Sequence, residues 1–218
     1  MIHTATWERF SQLLDIRLAK SVFTTEDSVR YTFFAAVLEC ENLNPEDIIL
    51  EHRHPKIRSA LIDTWISAIN GNSVALEFKY HRDIPSGSNA NRTELAGKIF
   101  HDLYRLGQFD TTALRIFVYL ASNEMTNHFS SERNRLNEFF SLGQGAALRI
   151  DDAFFAGRAK SFTSMVPTTP NIEVVSLFTR SLPQNHQIRA YEVREIERQQ
   201  CAPADGSATA SRPLRDQK

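Results

Sequence analysis

The chain has 218 residues, of which 42% are hydrophobic and 23% charged, an ordinary globular composition long enough to bury about 70% of its unfolded surface. Its 25 Lys and Arg balance 26 Asp and Glu, so it lacks the overall basic excess of a non-specific nucleic-acid binder. No stretch approaches the ~18 consecutive apolar residues of a membrane span, and Cys40 and Cys201 have no C-x-x-C spacing, which argues against a disulfide framework or a zinc site and fits a cytoplasmic chain.

In chain order, Trp7, Phe10, Leu13, Leu14 and Leu18 fall at helical spacing over residues 5–19. Glu8, Arg9 and Asp15 interrupt the apolar residues there, so no secretory leader is expected. "TTEDSVRYTFFAAVLEC" predicts a second helix, with Thr24 or Thr25 as N-cap, acids in its first turn and Val29, Phe33, Val37 and Cys40 on one stripe. Asn44-Pro45 ends it. The period then changes to two: 47–52, 59–67 and 73–82 read as strands, the last pair joined by the turn signal Asn70-Gly71-Asn72. Leu95, Ile99, Leu103 and Leu106 return to helical spacing with Gly107 as terminator, and "LRIFVYLAS" (114–122) is the apolar run of a strand buried on both faces. Further on, "SSERNRLNEFFSLG" reads as helix, "RIDDAFFAGRAKSF" fits either type, and "IEVVSLFTR" and "HQIRAYEVRE" read as strands. The expectation is one α/β domain over 1–198, a mixed central β-sheet flanked by α-helices, with a disordered tail at 199–218 that is polar and aperiodic.

The hairpin of strands two and three poses the chemical problem. In 73–82, Glu77 and Lys79 share one face, and Asp63 lies on the strand before. A three-residue loop (Ile69 to Gly71) makes facing residue numbers sum to 140 and sets Asp63 opposite Glu77, whereas a two-residue Asn70-Gly71 loop makes the sum 141 and offsets them. Carboxylates facing each other destabilise a sheet, and a divalent cation between them resolves the conflict.

Asp63, thirteen intervening residues, then Glu77-Phe78-Lys79 resembles the PD-(D/E)xK nuclease superfamily, the restriction-endonuclease-like fold, whose core also runs helix, three strands, helix, strand. The resemblance covers about residues 20–122. Ile62 stands where the motif has its proline, and Glu26 on the first core helix matches the glutamate that members often carry near the metal. The resemblance implies a restriction-like endonuclease hydrolysing phosphodiester bonds of DNA. Asp63, Glu77, the Phe78 carbonyl and Glu26 would hold Mg²⁺, or Mn²⁺ in its place; Asp63, Glu77 and Lys79 would form the catalytic set, with Lys79 positioning or helping to deprotonate the attacking water. The products would carry a 5′-phosphate and a 3′-hydroxyl, and cutting both strands of a duplex favours a homodimer. No membrane partner is expected.

Blander accounts compete at each position. Glu77 and Lys79 also fit an exposed ion pair on an edge strand, worth ~0 to 1 kcal/mol, and Glu26 fits a helix-dipole residue paired with Arg30. Lys98 and Asp102 would reach toward the phosphate or the metal's outer shell, but also fit the polar side of an amphipathic helix; His52 and His54 share a strand face at metal-ligand spacing with His81 as a third candidate, but without a fourth ligand they fit ordinary solvated histidines. Gly143-Gln144-Gly145 is too short for a phosphate loop, and the serine-hydrolase and P-loop signatures are absent. Basic clusters at 52–58, 133–135 and 157–160, with Arg189, Arg194 and Arg198, read as solvated faces or as one side of a groove. Base contacts would come from beyond residue 122, with "SSERNRLNEFF", Arg189 and Arg194 as candidates. The alternatives in function are a catalytically silent module of this fold that binds DNA or protein, and an enzyme acting on RNA or branched DNA.

Overall fold

A computed structural model describes residues 1–82, 92–110, 112–132, 134–166 and 168–196; the expected tail at 199–218 lies outside them. Helix α1 (Thr4–Ala19) buries Trp7, Phe10, Leu14 and Leu18. Helix α2 (Glu26–Cys40) begins with a capping box in which Thr25 accepts from the Ser28 N–H and Ser28 answers the Thr25 N–H, and Val29, Phe33, Ala36 and Val37 form its buried stripe. Strands β1 (Ile48–Arg53), β2 (Leu61–Ile69) and β3 (Asn72–His81) follow, then α3 (Arg92–Gly107) and β4 (Leu114–Ser122). The remainder is α4 (Asn123–Ser130), α5 (Asn137–Phe140), β5 (Ala147–Ile150), α6 (Asp152–Phe155), α7 (Lys160–Thr163), β6 (Ile172–Leu182) and β7 (His186–Glu195).

The seven strands make one mixed sheet in the order β1-β2-β3-β4-β7-β6-β5, in which β3 and β4 are parallel and every other neighbouring pair is antiparallel. The parallel step requires a crossover, and α3 supplies it. Strand β4 is buried on both faces, as its apolar run predicts: Ile116, Val118 and Leu120 pack with α1 and α2, while Phe117, Tyr119 and Ala121 pack with α3 and the later helices. On that second side Gly97 permits α7 to sit against α3, since a Cβ there would meet the Phe162 carbonyl at 2.6 Å. No described helix is long and apolar enough to cross a membrane.

The chain beyond β4 differs from the sequence expectation. The helix expected over "SSERNRLNEFFSLG" shrinks to the four residues of α5, and α4, which the spacing did not reveal, lies just before it. Ser122 caps α4 by accepting from the Met125 N–H, and Met125 and Phe129 form its short buried stripe. The chain then reverses through Arg135 in the left-handed region (φ 54), with the Asn134 amide donating to the His128 carbonyl. That reversal returns Leu136, Phe139 and Phe140 to the core, so burial of three large apolar groups outweighs local helix propensity. The ambiguous segment resolves into β5, α6 and α7.

Candidate active site

The site begins where β3 loses one neighbour. Asn70 (φ 51) and Gly71 (φ 80) form a two-residue turn with Ile69 facing Asn72. A bulge between Ile66 and Ile69 then shifts the register, so that Ile66 faces Val74 and Thr64 faces Leu76, a sum of 140. The alignment expected from the longer loop is thus reached from the shorter one. The β2–β3 ladder stops at Thr64 and Leu76, while β3 stays paired with β4 as far as His81. Asp63 is also skipped in the β1–β2 ladder, opposite Glu51 with its φ of 50.

Beyond the fork, the β3 backbone groups that face away from β4 need new partners. Asp63 Oδ2 accepts the Phe78 N–H at 2.7 Å, and Glu26 Oε2 accepts the Tyr80 N–H at 3.0 Å. Two carboxylates therefore continue the edge where β2 leaves it. The Phe78 carbonyl, which points the same way as its own N–H in an extended strand, opens onto the same fork.

The other face of β3 meets α3 along a charged seam. Glu77 pairs with Arg105, which also donates to the Leu61 carbonyl at 3.3 Å. Lys79 Nζ lies 3.3 Å from Asp102 and 3.4 Å from Glu26. Residues 77, 79 and 81 share a strand face, and 105, 102 and 98 share a helix face, so the two rows run past each other. The seam closes with His81, whose Nδ1 shares a hydrogen bond with the Tyr119 hydroxyl at 3.1 Å. Burial, with Lys79 and Lys98 nearby, lowers the His81 pKa to about 4. Glu77 is only 2% exposed, and burial, followed by the adjacent Asp63 carboxylate, pushes its pKa well above the usual range. Burial alone would lower Lys79, yet Asp102 and Glu26 outweigh it and leave its pKa raised. Lys79 is an ammonium at neutral pH.

Asp63, Glu77, Phe78, Lys79 and Glu26 thus lie around one fork. Glu77 and Lys79 are not an exposed edge pair, because β3 is internal and each binds a different α3 residue. Glu26 does not pair with Arg30, whose guanidinium is given to Asp27, Glu51 and, at 3.8 Å, Asp63. Arg105 escaped the sequence reading, although it is one turn beyond Asp102 and completes the polar stripe begun at Lys98. The histidines at 52 and 54 are structural. His52 stacks on Trp65 at 5.4 Å. His54 Nδ1 accepts from the Lys56 and Ile57 N–H groups, so its Nε2 donates to the Arg105 carbonyl at 2.8 Å and secures the end of α3.

No family model, curated protein or solved structure matches the chain. Its own charges therefore carry the reading. Glu26, Asp63, Glu77 and Asp102 stand against Lys79, Arg105 and Arg30, four carboxylates to three cations. Among the described residues no three His, Cys, Asp or Glu side chains are gathered as metal ligands; the Arg105 guanidinium takes up Glu77 instead. The donor types nevertheless suit a hard divalent cation, since Asp63, Glu77 and the Phe78 carbonyl offer oxygen and Mg²⁺ needs only one or two carboxylates beside its waters.

One expected DNA contact is withdrawn. Arg189 is buried, 3% exposed, and donates to the Phe140 carbonyl and to Gln187, so it cannot reach a base. Arg158 from the 157–160 cluster lies over the Phe154 ring and donates to the carbonyls of Phe154, Asn134 and Arg135. Arg194 is more exposed but is held by Glu192 and Glu173.

Proposed function

We propose that the chain is a divalent-metal-dependent nuclease of the PD-(D/E)xK kind that hydrolyses phosphodiester bonds of DNA. The observation that carries this reading is the fork beside β3, where Asp63 takes the Phe78 N–H, the buried Glu77 carboxylate lies near it and Lys79 follows two residues on along the same strand face. The order α2, β1, β2, β3, α3, β4 supports it, being the helix, three strands, helix, strand order of that superfamily. Asp63, Glu77 and the Phe78 carbonyl would hold the ion, which when bound would polarise the phosphoryl oxygen and lower the pKa of its water. Lys79, kept protonated by Asp102 and Glu26, offsets phosphate charge and orients the attacking water, and is better suited to that than to removing its proton. Glu26 positions Lys79 and secures the Tyr80 backbone rather than serving as a direct ligand.

A second reading, a silent module of the same fold, is favoured by Arg105, because its guanidinium supplies the charge that a metal would otherwise supply to Glu77. Supercoiled plasmid incubated with Mg²⁺, with Mn²⁺ and with EDTA separates the two. The enzyme reading expects metal-dependent nicking or linearisation, reduced at least about a hundredfold in Lys79→Ala with DNA binding retained. Plasmid left intact in both metals by protein that binds it favours the module.

A further inference from the structure

Next to the fork is a cavity of about 470 Å³ between the α1–α2 connection, the end of β3 and the β6–β7 turn. Its apolar side carries Phe23, 66% exposed, and Val22, 44% exposed, an unusual outlay of large apolar surface in water. The Arg82 guanidinium lies over the Phe23 ring, 4.7 Å from its centroid. The opposite side is polar: the Tyr80 hydroxyl shares a hydrogen bond with His186 Nε2 at 3.1 Å, and Gln184 is held toward the cavity by its bond to Ser21. Tyr80 links the cavity to the fork: its backbone N–H is bound by Glu26 at the fork, while its side chain, on the opposite face of β3 from Lys79, lines the cavity.

A ligand for this cavity must be flat enough to stack on Phe23 or on the Arg82 plane, and must present hydrogen-bonding groups at its edge. It must also be about the size of one nucleotide, since the volume falls within the range of small-molecule sites and is too small for a helix. A nucleobase meets all three conditions, and aromatic rings and arginine planes are the surfaces on which unpaired bases stack. We propose that this cavity receives one unpaired nucleobase of a nucleic acid strand, adjacent to the phosphate held at Lys79. This rests on the nuclease reading for the role of Lys79. A base inside a duplex has both faces stacked and its edge paired, so the pocket selects strands that offer an unpaired nucleotide at the cut, as in a single strand, a gap or a flap. Blunt duplex is then the poorer substrate.

The test is fluorescence anisotropy in EDTA, where no cutting occurs, with labelled dT12, labelled rU12 and a blunt 12-base-pair DNA duplex. Wild-type full-length chain is expected to bind at least one single strand more tightly than the duplex. Phe23→Ala, whose exposed ring plays no part in the core, is expected to weaken that binding about tenfold and leave the duplex within twofold; Arg82→Gln should act in the same direction. The larger loss between dT12 and rU12 identifies the sugar. The proposal is overturned if no single strand binds, if both substitutions leave single-strand binding within twofold, or if they weaken the duplex equally. Metal-dependent plasmid nicking by a chain whose single-strand binding ignores Phe23 removes the pocket and keeps the nuclease. Phe23-dependent binding by a chain that never cuts does the reverse.

Discussion

The two halves of β3 belong to one strand and behave differently. From Val74 to Leu76 the strand has a partner on each side, and Val74, Ala75 and Leu76 are fully buried apolar residues. From Glu77 to His81 it has β4 alone, and its free edge and one face are completed by side chains: Asp63 and Glu26 for the backbone, Arg105 and Asp102 for Glu77 and Lys79. The first half is held by area removed from water, which does not depend on charge. The second keeps Phe78 in the core, but Glu77 and Lys79 are held by charges whose balance can be moved by pH, by a cation or by a substrate phosphate. A strand that loses one neighbour is thereby converted from scaffold into a place where chemistry is possible.

That contrast breaks most readily at Arg105. Arg105→Met leaves Glu77 buried beside Asp63 and Asp102 without its cation, and a loss of about 4 kcal/mol is expected in chemical unfolding at pH 8 in EDTA. The loss should shrink as pH falls and Glu77 takes a proton. It should also shrink on adding Mg²⁺ if the oxygens hold an ion; equal loss with and without Mg²⁺ would count against the metal. In the other half, Leu76→Ala should cost about 3 kcal/mol through cavity formation, with the same value in Mg²⁺ and in EDTA. Dependence of that value on metal would mean the halves are not separate.

The pH dependence of folding sharpens the comparison next. His81 has its folded pKa lowered to about 4 from an ordinary 6.5, so between these values the unfolded chain binds the proton that the folded chain refuses. Its contribution is present above pH 6.5 and is lost as pH falls toward 4, on the order of 3 kcal/mol across the full window. His81→Gln should flatten that part of a stability profile relative to wild type; an unchanged slope would refute the attribution. The smallest effect is at the edge of the fork. Glu26→Ala removes the acceptor of the Tyr80 N–H, but the side chain is 41% exposed, so water replaces much of it and about 1 kcal/mol is expected. Glu26→Gln, which keeps an acceptor, should lose less, as read by urea midpoints.

Much of this arrangement is legible in the sequence. The stripes of α1, α2 and α3, the alternation of β2 and β3 and the unbroken apolar run of β4 are local patterns, and each became the element its period implied. The motif residues could be named for the same reason, since spacing on a strand decides which side chains share a face. The paired part of β2 and β3 took the 140 alignment by a different route, a short turn corrected by a bulge, which leaves no mark in residue types, and the ladder ended one step before Asp63 and Glu77 could face each other in it. The segment from 123 to 166 was the least legible, its short helices being held by burial of Phe139, Phe140, Phe154 and Phe162 rather than by repeats long enough to show a period.

The sequence by itself determined the periods, the caps and the presence of an Asp and a Glu-x-Lys on successive strands, because these depend on neighbours within one element. Tertiary structure alone decided what those charges meet. Whether Glu77 finds a cation, which carboxylate takes the Phe78 N–H and whether Arg189 faces solvent or core depend on elements distant in sequence, and electrostatic interactions follow distance in space and burial, neither of which a local pattern encodes.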